Sequence, residues 1–370
     1  MVEHRVSRRA LKAGPVLLTL ALLLPATVVS ASNISFGSGD GEVSVRHMAP
    51  MKNPSGAFSD KYTVEARFRD GGEYYFSIHH SSFGIGEPTF EVVSRYRAPD
   101  GEEYRTRQTL GRGRFSVEEG ATLDLRMGRH RLSGTPERWT IVAESDEIST
   151  ELTFRPLVPP WRPGSGRAHF GSGYLDQTIL AGRAAVKGTI RLNDETTLEV
   201  TGTGYALHSH SDMALHDLAR RMLGFRSERG PLVFYFREIE PVARLNSEPV
   251  RWLYVARQGE IVFQSTDFSL THGDFKTDME HGNRYRVPRS VRIEAREGER
   301  VFTAVMRTTK KRWRTDRLEE LSSVERAVAS RFAKPVVYSY EAAFEARLTS
   351  EGEEESFRGR GVYEVDHVNK

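Results

Sequence analysis

The residues best placed to do chemistry stand together in GTGYALHSHSD, Gly202 to Asp212. Read with a period of two, Val200, Gly202, Gly204, Ala206, His208, His210 and Asp212 fall on one face of a strand, so an apolar face ends in two imidazoles and a carboxylate. Three kinds of chemistry fit these types at this spacing. The groups can hydrogen-bond one another and the polar head of a ligand at the mouth of a β-structure. Asp212 beside an imidazole in an apolar cavity can protonate an alkene, with His208 or His210 activating water. His208-x-His210 can also offer two nitrogens to a metal. No glutamate stands at Ala214 or Leu215, and a third ligand would have to come from His216, His272 or His281, so no metal and no cofactor is expected.

The elements that position this cluster read as strands. Val186, Gly188, Ile190 and Leu192 alternate with Lys187, Thr189 and Arg191, and Asn193-Asp194 follows, a hairpin turn leading into the histidine strand. Earlier runs alternate in the same way: Tyr62, Val64, Ala66 and Phe68, then Tyr74, Phe76 and Ile78, then Phe90, Val92, Ser94 and Tyr96, and Trp139, Ile141 and Ala143. Asp70-Gly71-Gly72 and Pro99-Asp100-Gly101 punctuate them. Pro156, Pro159, Pro160, Pro163, Gly164 and Gly166 cannot continue a central strand, and the stretch through Gly173 reads as a connection between two β-domains, with Trp161, Phe170 and Tyr174 packed in their interface. Strand patterns then resume, from Leu232, Phe234 and Phe236 to Tyr363 and Val365. Two helices are expected, Ala214 to Leu223 with Asp212 as its N-cap, and Leu318 to Phe332, which stops before Pro335. Gly188, Gly202, Gly204, Ala206, Ala342, Ala346, Gly359 and Gly361 share inward faces with large aromatics, which predicts space for a ligand; the competing reading makes the glycines bulges and bends.

The chain has 370 residues and no cysteine, which excludes disulfides, thiolate metal sites, a cysteine nucleophile and a lipoprotein anchor. Charged residues make up 28% and mean hydropathy is −0.49, as in soluble proteins. Arg5, Arg8, Arg9 and Lys12 precede an apolar run from Gly14 to Val29, and Val29-Ser30-Ala31 suits cleavage, so residues 1–31 read as a signal peptide and the mature chain is expected to begin at Ser32, in the periplasm or outside the cell. SRRALK, Ser7 to Lys12, resembles a twin-arginine signal. Removing that segment brings the formal charge of +3 to near zero, and nothing favours nucleic acid. Lys310, Lys311, Arg312, Arg314 and Arg317 form a local basic stretch, either a solvated strand end or a surface for transient contact with anionic headgroups. No Gly-x-Ser-x-Gly elbow, phosphate loop, dinucleotide fingerprint or His-Glu-x-x-His is present.

Taken together, VKGTIRLNDETTLEVTGTGYALHSHSD, the order of β-domain, Pro/Gly-rich connection and β-domain, and the late helix before VVYSYEAAFEARL resemble the double-lipocalin group of survival-factor-like, AttH-like and carotenoid hydratase-like proteins. That resemblance implies an all-β fold of two lipocalin-like antiparallel barrels in tandem, residues 32–175 and 176–370, with a late helix in the second. It also implies a hydrophobic small-molecule ligand, a lipid or isoprenoid, either carried or hydrated and isomerised without a cofactor. The hydratases pair an aspartate and histidine with a neighbouring acid and tryptophan, and the run here departs from that pattern, having no tryptophan beside it. Asp212, His208 and His210 are the catalytic candidates. Tyr205, His208, His210, Asp212, Tyr235, Trp252 and Tyr254 are the ligand-binding candidates, the aromatics supplying walls and cation–π faces.

Overall fold

A computed structural model describes Phe36 and residues 41–369 except 53, 55, 84–86, 172, 194–195, 231, 246–247, 281–283, 320–325, 328–329 and 331–333. The expected signal segment lies outside these residues. The expected helix Leu318–Phe332 lies largely outside them too, with Leu318 and Glu319 in a turn. Nearly everything described is strand, in two large antiparallel sheets.

The first sheet opens after a single helical turn, α1 (Val45–Met48), and comprises β1 (Ala57–Phe68), β2 (Glu73–Phe83), β3 (Thr89–Arg97), β4 (Glu103–Leu110), β5 (Phe115–Glu119), β6 (Leu123–Met127), β7 (His130–Thr135), β8 (Arg138–Ala143), β9 (Ile148–Pro156), β10 (Arg167–Phe170), β11 (Gly173–Leu192) and β12 (Thr196–Ser211). Its order is β4-β3-β2-β1-β12-β11-β9-β8-β7-β6-β5, with β10 on the free side of β11. Burial in β1 alternates without a break, as period-two side chains require when one face meets a core. The sheet curls until its arms touch: the Tyr74 hydroxyl on β2 lies 2.8 Å from Thr150 Oγ1 on β9, and Gln108 on β4 lies 3.2 Å from His130 on β7. Phe76, Val92, Leu125, Ile141, Leu152 and Val186 fill the interior.

After a four-residue helix, α2 (Leu215–Leu218), the chain crosses to a second curled sheet. Its strands are β13 (Ala219–Arg229), β14 (Leu232–Pro241), β15 (Val250–Arg257), β16 (Glu260–Ser265), β17 (Phe268–Gly273), β20 (Ser290–Glu297), β21 (Arg300–Asp316), β22 (Val336–Ser350) and β23 (Glu353–His367), and the short pair β18 (Lys276–Thr277) and β19 (Arg286–Val287) stands beside it. Phe225, Phe234, Phe302 and Phe344 form its aromatic centre. A third apolar cluster joins the sheets: Trp161, Phe170, Ile179, Tyr205 and Leu207 from the first meet Met222, Tyr235, Ile239, Trp252 and Tyr254 from the second. Ion pairs cross the same junction from Arg226 to Glu65 and from Arg312 to Glu73.

The all-β expectation of two lipocalin-like antiparallel barrels agrees with this architecture, and four sequence expectations are corrected. The division at residue 175 is too early, because β11 pairs with β9 and both β11 and β12 belong to the first sheet, which therefore runs to Ser211. The proline stretch is an excursion within that sheet, and Trp161 bridges back to Ile179. The helix from Ala214 to Leu223 stops at Leu218, since the chain pairs with β14 from Ala219 and also with β23 from Arg221, and backbone pairing on two sides outweighs local helix preference. The inward glycines mark close approach and not open volume. A Cβ at Gly202 would lie 2.1 Å from the Arg67 carbonyl, and one at Gly204 would lie 2.6 Å from the Phe154 ring, which itself stacks on Trp139 at 4.2 Å.

Gly202→Ala is expected to destabilise the fold by about 1–3 kcal/mol, because the obstructing atoms are β1 backbone and cannot rotate away. Gly113→Ala, with nothing within 4 Å of the added carbon, is expected to stay within about 0.5 kcal/mol of the parent. Urea denaturation of both variants checks the pair.

Candidate functional site

β12 lies between β1 and β11, and its register sets the site. Asp60 on β1 pairs with His210, and His210 pairs with Asp176 on β11; one step along, Tyr62, His208 and Thr178 form the next row. Residues directly opposed in antiparallel strands share a face, so the two rows bring carboxylates and imidazoles together at the end of the first sheet's apolar face.

Asp60 and His208 are each 1% exposed. His208 Nε2 sits 2.8 Å from Asp60 Oδ1, and Nδ1 sits 3.2 Å from the carbonyl of His47 in α1. Both ring nitrogens face oxygen atoms. The Tyr62 ring stacks on the imidazole at 4.0 Å and 4°, and its hydroxyl donates to the Met48 carbonyl at 2.6 Å, so the helical turn is tied to the pair from two sides. The Met51 amide donates to Asp60 Oδ2 at 2.6 Å. Burial pushes the Asp60 carboxyl up, but the two imidazoles and the Met51 amide outweigh it and hold the group below its usual range.

His210 is partly open to solvent, with 16% of its side chain exposed. Its Nε2 lies 2.7 Å from Asp176 Oδ2, while Nδ1 is buried without a hydrogen-bond partner. Arg167 on β10 grips Asp176 through two bonds, 2.8 and 2.7 Å, and lies 3.8 Å over the Tyr174 ring. Burial opposes the Asp176 charge, yet Arg167 and His210 together depress its pKa well below the ordinary carboxylate value. One donor atom from each of Asp60, His208 and His210 lies within 4.8 Å of the other two.

His208 and His210 are thus brought together as expected, while Asp212 is engaged beside them by Tyr174, whose ring stands edge-on to His210 at 6.0 Å. The Asp212 carboxylate accepts the Tyr174 amide at 2.6 Å, which fixes the start of β11 and takes it away from the helix it was expected to cap. The aromatic candidates form a separate site. Tyr205, Tyr235 and Tyr254 stack in series at 6.0 and 5.8 Å across the seam between the sheets, beside Trp252. Trp252 Nε1 and the Tyr254 hydroxyl are buried there without hydrogen-bond partners. The basic stretch is drawn into ion pairs: Lys311 with Glu280, Arg312 with Glu73, Arg314 with Asp278, and Arg317 with Asp366.

Asp60, Asp176 and Arg167 were missed. Asp60 carried a readable signal, since it falls in phase with Phe58, Tyr62 and Val64 on a face that is otherwise apolar. Asp176 and Arg167 carried none, because their place depends on long-range register. A second buried carboxylate, Glu238 on the inner face of β14, is held by Arg251 at 2.7 Å and His272 at 3.0 Å.

Comparison with known proteins decides the family. The model of the Svf1 family matches residues 62–368. The chain belongs to the Svf1 family. No curated protein matches it by sequence. Among solved structures it is similar to CghA, with 14% identity, a TM-score of 0.61, and 90% of this chain and 97% of CghA covered. Kievitone hydratase from Nectria haematococca gives 12% identity, a TM-score of 0.55 and coverage of 92% and 97%. An AttH-like protein from Nitrosomonas europaea gives 15% identity, a TM-score of 0.54 and coverage of 93% and 100%. These likenesses show the lipocalin-like double-barrel fold shared by this Svf1-family protein.

Removing one member of the buried pair leaves the other without a partner. Asp60→Ala is expected to cost about 3–5 kcal/mol of stability, and Asp60→Asn, which keeps an acceptor for His208, less than half of that. Equal and small effects in chemical denaturation would contradict the pairing.

Proposed function

We propose that this protein is an exported carrier that binds a hydrophobic small molecule, a lipid or isoprenoid, in the aromatic seam between its two sheets. One observation carries the reading: the seam of Tyr205, Tyr235, Trp252 and Tyr254 is apolar, yet holds two buried donors, Trp252 Nε1 and the Tyr254 hydroxyl, that bond to nothing. Buried donors cost free energy unless paired, and a ligand with an apolar body and one or two acceptor oxygens satisfies both needs at once. Apolar burial supplies the driving force, at about 25 cal/mol per Å2. The fold supports the same class of role, since CghA has been solved with Sch210972 bound.

The alternative, cofactor-free hydration or isomerisation of a polyene by Asp212 with His208 or His210, loses its proposed acid to the Tyr174 amide. What remains of it rests on His210, where Asp176 engages one nitrogen and leaves the other unengaged.

Native mass spectrometry of protein purified from its own host, with N-terminal sequencing of the same sample, tests the proposal. The expected result is a chain beginning at or near Ser32 with a lipid or isoprenoid bound. Tyr254→Phe and Trp252→Phe are each expected to weaken binding about tenfold, roughly 1.4 kcal/mol. A chain that begins at Met1, carries no such molecule and binds none when offered would overturn the reading.

A further inference from the structure

We propose that Asp60, His208 and His210 form a binding site for a divalent transition-metal ion. The inference is independent of what the aromatic seam holds, and it starts from how the two imidazoles are anchored. A metal-bound histidine characteristically uses its second nitrogen to hold a carboxylate or backbone carbonyl, which fixes the ring and points the first nitrogen at the ion. Both histidines here have such a partner on one side. His208 Nδ1 is held by the His47 carbonyl, which turns Nε2 toward Asp60, and His210 Nε2 is held by Asp176, itself clamped by Arg167, which leaves Nδ1.

That remaining nitrogen is the second observation. His210 Nδ1 is buried and unpartnered, an arrangement that costs free energy in a protein that satisfies the rest of the cluster so fully. A candidate donor atom from each of the three residues lies within 4.8 Å of the others, so small side-chain adjustments bring all three to one ion. Two ligands that each stand about 2.0–2.2 Å from a shared metal in a tetrahedral site are about 3.3–3.6 Å apart, so the 2.8 Å between His208 Nε2 and Asp60 Oδ1 opens by about half an ångström or more to admit the ion. The ion would take the place of the proton now shared between them.

The donor set gives the class of ion. Two imidazoles and one carboxylate suit zinc, iron, cobalt or nickel, whereas calcium and magnesium prefer all-oxygen sites. Three protein ligands leave coordination positions for water or a ligand's oxygen. All three residues project from neighbouring strands of one sheet, and the Tyr62 stack holds the plane of the His208 ring, so the geometry is supplied by rigid elements. The partly exposed edge of His210 gives the ion its way in.

The test uses the mature chain without a histidine tag, stripped with a chelator and titrated calorimetrically with Zn2+ and, for its visible spectrum, with Co2+. The expected result is one ion per chain with micromolar or tighter affinity and the visible bands of nitrogen-ligated Co2+. His210→Ala is expected to weaken binding at least a hundredfold, with its circular dichroism unchanged in the metal-free state. Asp176→Asn, which alters only the support behind His210, is expected to weaken binding about 10- to 100-fold. If His210→Ala does not fold, Asp176→Asn and the wild-type Co2+ spectrum decide. A folded wild type that takes up no stoichiometric ion, or binding unaltered in the folded variants, would overturn the proposal.

Discussion

A carboxylate buried inside a curled β-sheet constrains its whole neighbourhood, and Asp60 is that carboxylate. An ionised group cannot sit in an apolar interior without compensation worth several kcal/mol, so everything that touches it must be held in place. His208 supplies one hydrogen bond, the Met51 amide supplies a second, and the helical turn at Val45–Met48 must wrap over the end of the sheet for its carbonyls to reach His208 and Tyr62. These bonds depend on β12 lying between β1 and β11 in one register. A slip of one residue would turn both imidazoles to the opposite face and leave Asp60 alone.

The same central strand also links the site to the second sheet. On one face β12 presents Val200, Ala206, His208 and His210 to the first sheet's interior; on the other, Tyr205 and Leu207 belong to the seam. One strand therefore serves two chemically different surfaces, a polar group at a barrel end and an aromatic wall between barrels. Close backbone approach at Gly202 and Gly204 is what lets β12 lie against its neighbours while carrying both.

Local periodicity made much of this legible. The alternation from Val200 to His210, the hairpin at Asn193 with its positive φ of 49°, and the strands from Tyr62 to Ala143 all depend on neighbours in sequence, and the structure has them where the pattern put them. The features that eluded sequence reading depend on partners far along the chain. Nothing local shows that Asp176 will face His210, that β11 and β12 close the first sheet instead of opening the second, or that Asp212 will bond to the Tyr174 amide. Small inward residues misled for a related reason, because a glycine signals either a void or a neighbour at close range, and only the neighbour's position tells which. Asp60 is the instructive exception, a charge in phase with an apolar face, visible in the sequence and overlooked.

The aromatic seam with its two unengaged donors and the carboxylate–imidazole group lie on opposite faces of one strand of a lipocalin-like double-barrel fold. The polar end of the first sheet rests on the coupling between Asp60 and His208. A double-mutant cycle with Asp60→Asn and His208→Gln, read by urea denaturation, measures that coupling directly. The expected result is an interaction energy of about 1 kcal/mol or more, with the double variant less unstable than the sum of the singles. Strictly additive effects, with an interaction energy within about 0.5 kcal/mol of zero, would contradict it.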